Sequence, residues 1–200
     1  MRQGFEKALR LYFAENEYTI DTTKVYKIYI RDEMYLKPRR TWLSIIPERS
    51  SFEILNPSMN FFSHICIDGG LIEYGRKDYV GDGKEHGRND FMIVTDNKLL
   101  LVELKMEGLE NSQDKSKWRL VSKGLKQIED FYYHLQRIFQ MNGNDFHSYY
   151  GSRQIIPIIS IKFKPELKRN AQRNTEIVRF SERTGLRFST DRQLNTSYSI

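Results

Sequence analysis

An α/β or α+β sandwich is the fold class the sequence predicts, and three observations carry it. A short amphipathic stripe opens the chain, a tight hairpin of two apolar runs lies near its middle, and a long helical stripe followed by one more apolar run comes after. Helices and strands in that order suit a sheet covered by helices and do not suit a bundle.

Taken in order, residues 3–15 carry Phe5, Ala8, Leu9, Tyr12 and Phe13 on one stripe, the spacing of an amphipathic helix. Residues 18–80 are strand-rich. Val25–Ile30 and Ile65–Tyr74 hold β-branched and aromatic residues, Asp68-Gly69-Gly70 reads as a turn or bulge, and Pro38, Pro47 and Pro57 punctuate the stretch between. Asp90–Thr95 and Leu99–Lys105 are two apolar-rich runs joined at Asp96-Asn97, residues that tolerate the positive φ of a two-residue hairpin turn. A polar loop spans 106–117. Trp118, Val121, Leu125, Ile128, Tyr132, Leu135 and Phe139 then alternate steps of three and four, one continuous buried stripe. After the Asn/Gly-rich loop 142–145, Gln154–Phe163 predicts a strand whose Pro157 favours an edge or a bulge. Thr175–Phe180 predicts one more strand.

Composition narrows the class. The 200 residues carry a net charge of +6, with 39% hydrophobic and 13% aromatic residues, which excludes a disordered chain. The single Cys66 excludes an intramolecular disulfide and a cysteine-rich zinc site, as suits a reducing compartment. No apolar run is long enough for a bilayer, and the charged N-terminus is unlike a signal peptide, so an intracellular (cytoplasmic) chain with no membrane partner is expected. P-loop and acyl-transfer serine motifs are absent, and His64, His134 and His147 show no metal-ligand spacing. Cys66, between Ile65 and Ile67, reads as a buried strand residue.

Pairing across the hairpin points to chemistry. With Asp96-Asn97 as the turn, Thr95 faces Lys98, and counting outward sets Asp90 opposite Glu103. Lys105 shares that face by the two-residue strand period, whereas Val102 and Leu104 point the other way, into the core. Two opposed carboxylates repel one another unless something offsets them, and a hard divalent cation does so with oxygen ligands.

Asn89-Asp90, followed thirteen residues on by Glu103-Leu104-Lys105, resembles the signature of the PD-(D/E)XK nuclease superfamily, with Asn89 where a proline often stands. That resemblance implies a restriction-endonuclease-like core: a central mixed sheet flanked by helices. It further implies Mg²⁺ or Mn²⁺ on Asp90 and Glu103 with the Leu104 carbonyl, and a water aligned by Lys105 for phosphodiester hydrolysis. Gly4-Phe5-Glu6-Lys7-Ala8-Leu9 resembles the family's first helix, where Glu6 would complete the metal environment. Lys123 and Gln127 resemble the motif after the E-x-K strand in exonuclease-like branches, placed to contact the phosphate backbone. The resemblance covers residues 4–13 and 88–132. It divides a single domain into a core (1–17 and 81–163), an insertion (about 18–80) with room for substrate recognition or a homodimer surface, and a basic C-terminal segment (164–200).

Plainer readings stand beside these. Alternating charge on a solvated strand also produces E-x-K, Glu6 suits the first turn of a helix, and Gln127 suits a solvated helix face. His86, four residues before Asp90, is near enough in sequence to serve the site, and in a polar loop it is equally a solvated residue. From Lys162 onward nine basic residues meet four acidic ones, which suggests a nucleic-acid track (Lys168, Arg169 and Arg173 among them) or simply a soluble surface. The expected partner is therefore DNA or RNA. The alternative to catalysis is a non-catalytic nucleic-acid-binding or regulatory module on the same fold.

Overall fold

The structure, a computed structural model, describes residues 1–10, 20–33, 40–47, 51–67, 90–105, 114–141, 143–161 and 171–200. Strands β6 (Phe91–Val94) and β7 (Leu99–Leu104) are buried at every position, so the hairpin needs cover on both faces. Their register is the one the turn predicts: Val94 faces Leu99, Phe91 faces Val102, and Thr95 N–H donates to the Lys98 carbonyl at 2.9 Å. Around the hairpin a five-stranded mixed sheet forms in the order β1 (Ile20–Thr23), β5 (Phe62–Cys66), β6, β7, β8 (Ile155–Ser160). Only β7 and β8 run parallel, joined by the long helix α2 (Asp114–Met141).

One face of this sheet is covered by α1 (Arg2–Arg10) and α2. The stripe from Trp118 to Phe139 is buried throughout and packs with Phe5, Leu9, Met92, Val94, Leu99 and Leu101. Gly124 lies where α2 packs closely on β8; a β-carbon there would stand 3.0 Å from Ile159 Cδ1. The other face, through Phe91, Ile93, Leu100, Val102 and Leu104, meets a second sheet. This four-stranded sheet runs β3 (Arg40–Ser44), β2 (Lys27–Glu33), β4 (Phe52–Leu55), β9 (Ser197–Ser199) and contributes Ile28, Ile30, Phe52 and Ile54 to the inter-sheet core. The protein is thus an α+β fold of two mixed sheets with flanking helices.

Two expectations change. The stretch 18–80 does not stand apart from the core: β1 and β5 are strands of the central sheet, a pairing between distant segments that local pattern cannot encode. Thr175–Phe180 lies in a helix, α3 (Ala171–Thr184). Its β-branched residues favour a strand, but docking on α2 overrides that preference. Phe180 is buried there, Arg183 grips Glu129 at 2.7 and 2.8 Å, and Trp118 Nε1 donates to Glu176 at 3.2 Å. The basic segment after residue 170 is built into the fold. Phe180, Leu186, Phe188 and Leu194 enter the core, α4 (Thr190–Gln193) lies against β8, and β9 completes the second sheet. Pro157 sits in β8, an edge strand of the five-stranded sheet, where its missing N–H is tolerated. No helix among the described residues is long and apolar enough to cross a membrane.

His64 ties the sheets together. On β5 it is 1% exposed, with Nε2 2.9 Å from Thr41 Oγ1 on β3 and Nδ1 3.8 Å from the Asp21 carboxylate on β1. Burial lowers its pKa from the ordinary value near 6.5, outweighing Asp21, which raises it. The unfolded chain therefore binds the proton first. Stability is complete above about pH 6.5 and is lost as pH falls through the window below it. Thermal melts from neutral to mildly acid pH are expected to show a falling Tm, and His64→Gln to flatten that slope. An unchanged slope in the variant would assign the acid sensitivity elsewhere.

Candidate metal centre

The hairpin mouth, opposite its turn, gathers the charged residues. The β6–β7 ladder stops at Phe91 facing Val102; beyond it the Asp90 N–H returns to the Val102 carbonyl at 3.2 Å. Asp90 and Phe91 thus stand together against one residue of β7, as in a β-bulge, a device common beside active sites. The direct facing of Asp90 and Glu103 gives way to something tighter. Asp90 Oδ2 reaches across and accepts the Leu104 N–H at 2.5 Å, replacing the main-chain acceptor that the diverging strand withdraws. Asp90 is further fixed from β5, its carbonyl accepting the Ile67 N–H at 3.0 Å.

Glu103 and Asp90 are 1% and 4% exposed, so two carboxylates lie buried one residue apart across the bulge. Lys105 continues β7, its N–H donating to the Ser160 carbonyl of β8 at 2.8 Å. Its ammonium makes a short ion pair with Glu103 and donates to Gln127 Oε1 at 2.8 Å. Gln127 is delivered by α2, one turn beyond the close approach of Gly124 to Ile159. Asp90, Glu103, Leu104, Lys105 and Gln127 therefore converge from one hairpin and one helix. Lys123, one turn before Gln127, is exposed on the same helix.

Glu6 is not part of this group. Its Oε1 accepts from Arg2 at 2.9 Å and from Ser63 at 2.6 Å, and Ser63 is paired with Val94 at the turn end of the hairpin. Val94 lies four positions along the chain from Asp90, roughly 13 Å of strand. The acid closes a buried network instead: Arg2 also donates to Ser63, and Ser63 bonds Thr22 at 2.8 Å. A buried guanidinium two residues from the N-terminus is what captures it, and no helical pattern announces that partner.

His86, Asn89, Lys168 and Arg169 lie outside the described residues, as does the side chain of Arg173 within α3. Cys66 is buried, its sulfur accepting the Thr41 N–H at 3.4 Å. Sequence reasoning missed Ser160, fully buried and paired with Leu104, whose carbonyl anchors Lys105. A lone polar residue closing the run Ile155-Ile156-Pro157-Ile158-Ile159 was the available signal.

Two buried carboxylates side by side offer the hard oxygen ligands that a divalent cation takes. Among the described residues gathered at the mouth, the side-chain acceptors are oxygens, with no sulfur or imidazole beside them. Among the described residues no group of three or more His, Cys, Asp or Glu side chains is placed to hold a metal. Two carboxylates nevertheless match Mg²⁺, which commonly takes one or two and fills its shell with water and substrate oxygens. Compared with protein-family models, curated proteins and solved structures, the chain matches none.

Proposed function

We propose that the protein is a Mg²⁺- or Mn²⁺-dependent nuclease of the PD-(D/E)XK type, built on a restriction-endonuclease-like core. The observation that supports this is the pair of buried carboxylates at the hairpin mouth, one of them bonded to a lysine that α2 also holds. Asp90 and Glu103 would hold the cation, with the Leu104 carbonyl as a further oxygen donor. Bound there, the ion supplies positive charge for the scissile phosphate and a water of lowered pKa. The Leu104 N–H fixes the orientation of the Asp90 carboxylate at the mouth. Gln127 keeps the Lys105 ammonium at the mouth, where its protons can orient an attacking water and meet charge developing on the phosphate.

A specific observation favours a second reading, the non-catalytic nucleic-acid-binding module. The Lys105–Glu103 pair already neutralises one of the two carboxylates. Calorimetry with Mn²⁺ and cleavage assays on single- and double-stranded DNA and RNA separate the two. The nuclease reading expects Mn²⁺ binding that disappears in Asp90→Asn/Glu103→Gln, together with metal-dependent cutting of at least one substrate. Salt-sensitive nucleic-acid binding indifferent to metal, with no cutting, is the outcome that retires it.

A further inference from the structure

The turn end of the hairpin, opposite the candidate metal centre, carries exposed rings on a rigid base. Phe62 faces Thr23 there and Ser63 faces Val94, so Phe61 and the β1–β2 turn lie at that end. Asn56, 1% exposed, organises it. Its Nδ2 donates to the Val25 carbonyl at 3.1 Å and to the Asn60 carbonyl at 2.8 Å, and its Oδ1 accepts the Asn60 N–H at 3.2 Å. Its main-chain N–H donates to the Tyr26 carbonyl at 2.7 Å, and the Met59 N–H closes a turn onto its carbonyl at 3.0 Å. Met59 takes a φ of 49°, a region disfavoured for a residue with a side chain. One buried amide thus fixes the residues next to Tyr26 and Phe61, and the two rings spring from neighbouring points. Tyr26 is 56% exposed and Phe61 53%, whereas Phe62 beside it is fully buried. The Phe61 ring rests against the buried Arg2 guanidinium, whose Cζ is 6.0 Å from its centroid, and the exposed Lys24 places Nζ 5.5 Å from the same centroid.

We propose that Tyr26 and Phe61, with Lys24 beside them, form a stacking platform for the bases of single-stranded nucleic acid, a second contact with the substrate away from the hairpin mouth. The inference rests on the nuclease reading and adds its substrate class. Apolar residues scattered singly over a surface need no explanation, but two rings pinned side by side by one buried amide do. Their chemistry argues for the occupant. A flat ring offers a π-face to any base, and an ammonium next to it meets the phosphate of the same strand. Bases in a duplex are already stacked on one another, so the platform selects single strands. An aliphatic partner surface would accept any apolar side chain in place of the rings, and that difference can be measured. Phe61 stands six residues before Ile67, whose N–H meets the Asp90 carbonyl, about 20 Å of strand. The platform therefore anchors the substrate and leaves the chemistry to the mouth.

Fluorescence anisotropy of a labelled oligo-dT, and of its duplex with oligo-dA, tests the platform in EDTA across a series of KCl concentrations. Tyr26→Leu/Phe61→Leu keeps apolar bulk and removes the flat rings. It is expected to weaken single-strand binding about 100-fold, about tenfold for each lost stack, with duplex binding within about 2-fold of the parent. Phe61→Trp, a larger ring at the same point, should bind single strands within about 3-fold of the parent. Lys24→Gln should make the salt slope shallower by about 0.7, one phosphate on a single strand, and it leaves both rings in place. The platform is overturned if the parent does not bind oligo-dT, if the leucine pair binds as the parent does, or if it loses single strand and duplex alike. It is also overturned if sedimentation shows a parent dimer that Tyr26→Ser/Phe61→Ser dissociates, which would assign the surface to a second copy of the chain. Because the measurement omits metal, its outcome is separate from the catalytic one. A parent that cuts with Mn²⁺ while the rings are indifferent loses only the platform, and one that binds by the rings without cutting loses only the nuclease reading.

Discussion

Asp90→Asn is expected to lower metal-dependent cleavage about 10³-fold while leaving the thermal midpoint unchanged or higher. The amide oxygen of asparagine can still accept the Leu104 N–H, so the bond that closes the bulge survives. What disappears is one of two buried negative charges, and with it the cost of keeping that charge out of water. Activity and stability therefore move apart, as they do where a site is strained for function. Steady-state cleavage with Mn²⁺ and thermal melts in EDTA on the same preparation check both halves. A variant that cuts like the parent removes Asp90 from the chemistry. A fall in Tm of many degrees would instead make its carboxylate part of the scaffold.

Glu6→Gln is expected to cost about 3 kcal/mol of folding stability and to leave cleavage per folded molecule unaltered. Arg2 and Glu6 are 7% and 8% exposed and bonded at 2.9 Å. Neutralising the acid leaves a guanidinium in a dry setting with Ser63 as its remaining described acceptor. Urea unfolding measures the stability, and active-site-normalised cleavage measures the rest. The opposite pattern, intact stability with cleavage lost, would return Glu6 to the metal site where the family resemblance puts it.

These two carboxylates show what the sequence makes legible. The hairpin could be counted out residue by residue because its turn is two residues long and its register follows from that alone, so Val94 faces Leu99 and Phe91 faces Val102 as expected. The α2 stripe was readable for the same reason, since helical periodicity is local. The bulge at Asp90 was not, because it depends on β6 leaving the ladder under the pull of β5 and Ile67. Glu6 was misplaced by analogy, since its partners Arg2 and Ser63 meet it only once α1 lies on a sheet that includes β5. Thr175–Phe180 went astray by propensity, which describes a segment alone and takes no account of Glu129 and Trp118 waiting on α2.

The pairing of β4 with β9 joins Ile54 to Tyr198, across most of the chain, whereas β6 meets β7 through a two-residue turn. Closing a loop costs more entropy as it lengthens, and distant parallel pairs form slowly. Assembly therefore has a built-in order. The hairpin that carries Asp90 and Glu103 forms among the earliest contacts, and the fourth strand of the second sheet arrives among the last. Until it does, the edge of β4 is open and the inter-sheet core incomplete, so the molecule is most vulnerable to strand-edge association after its charged centre has already taken shape.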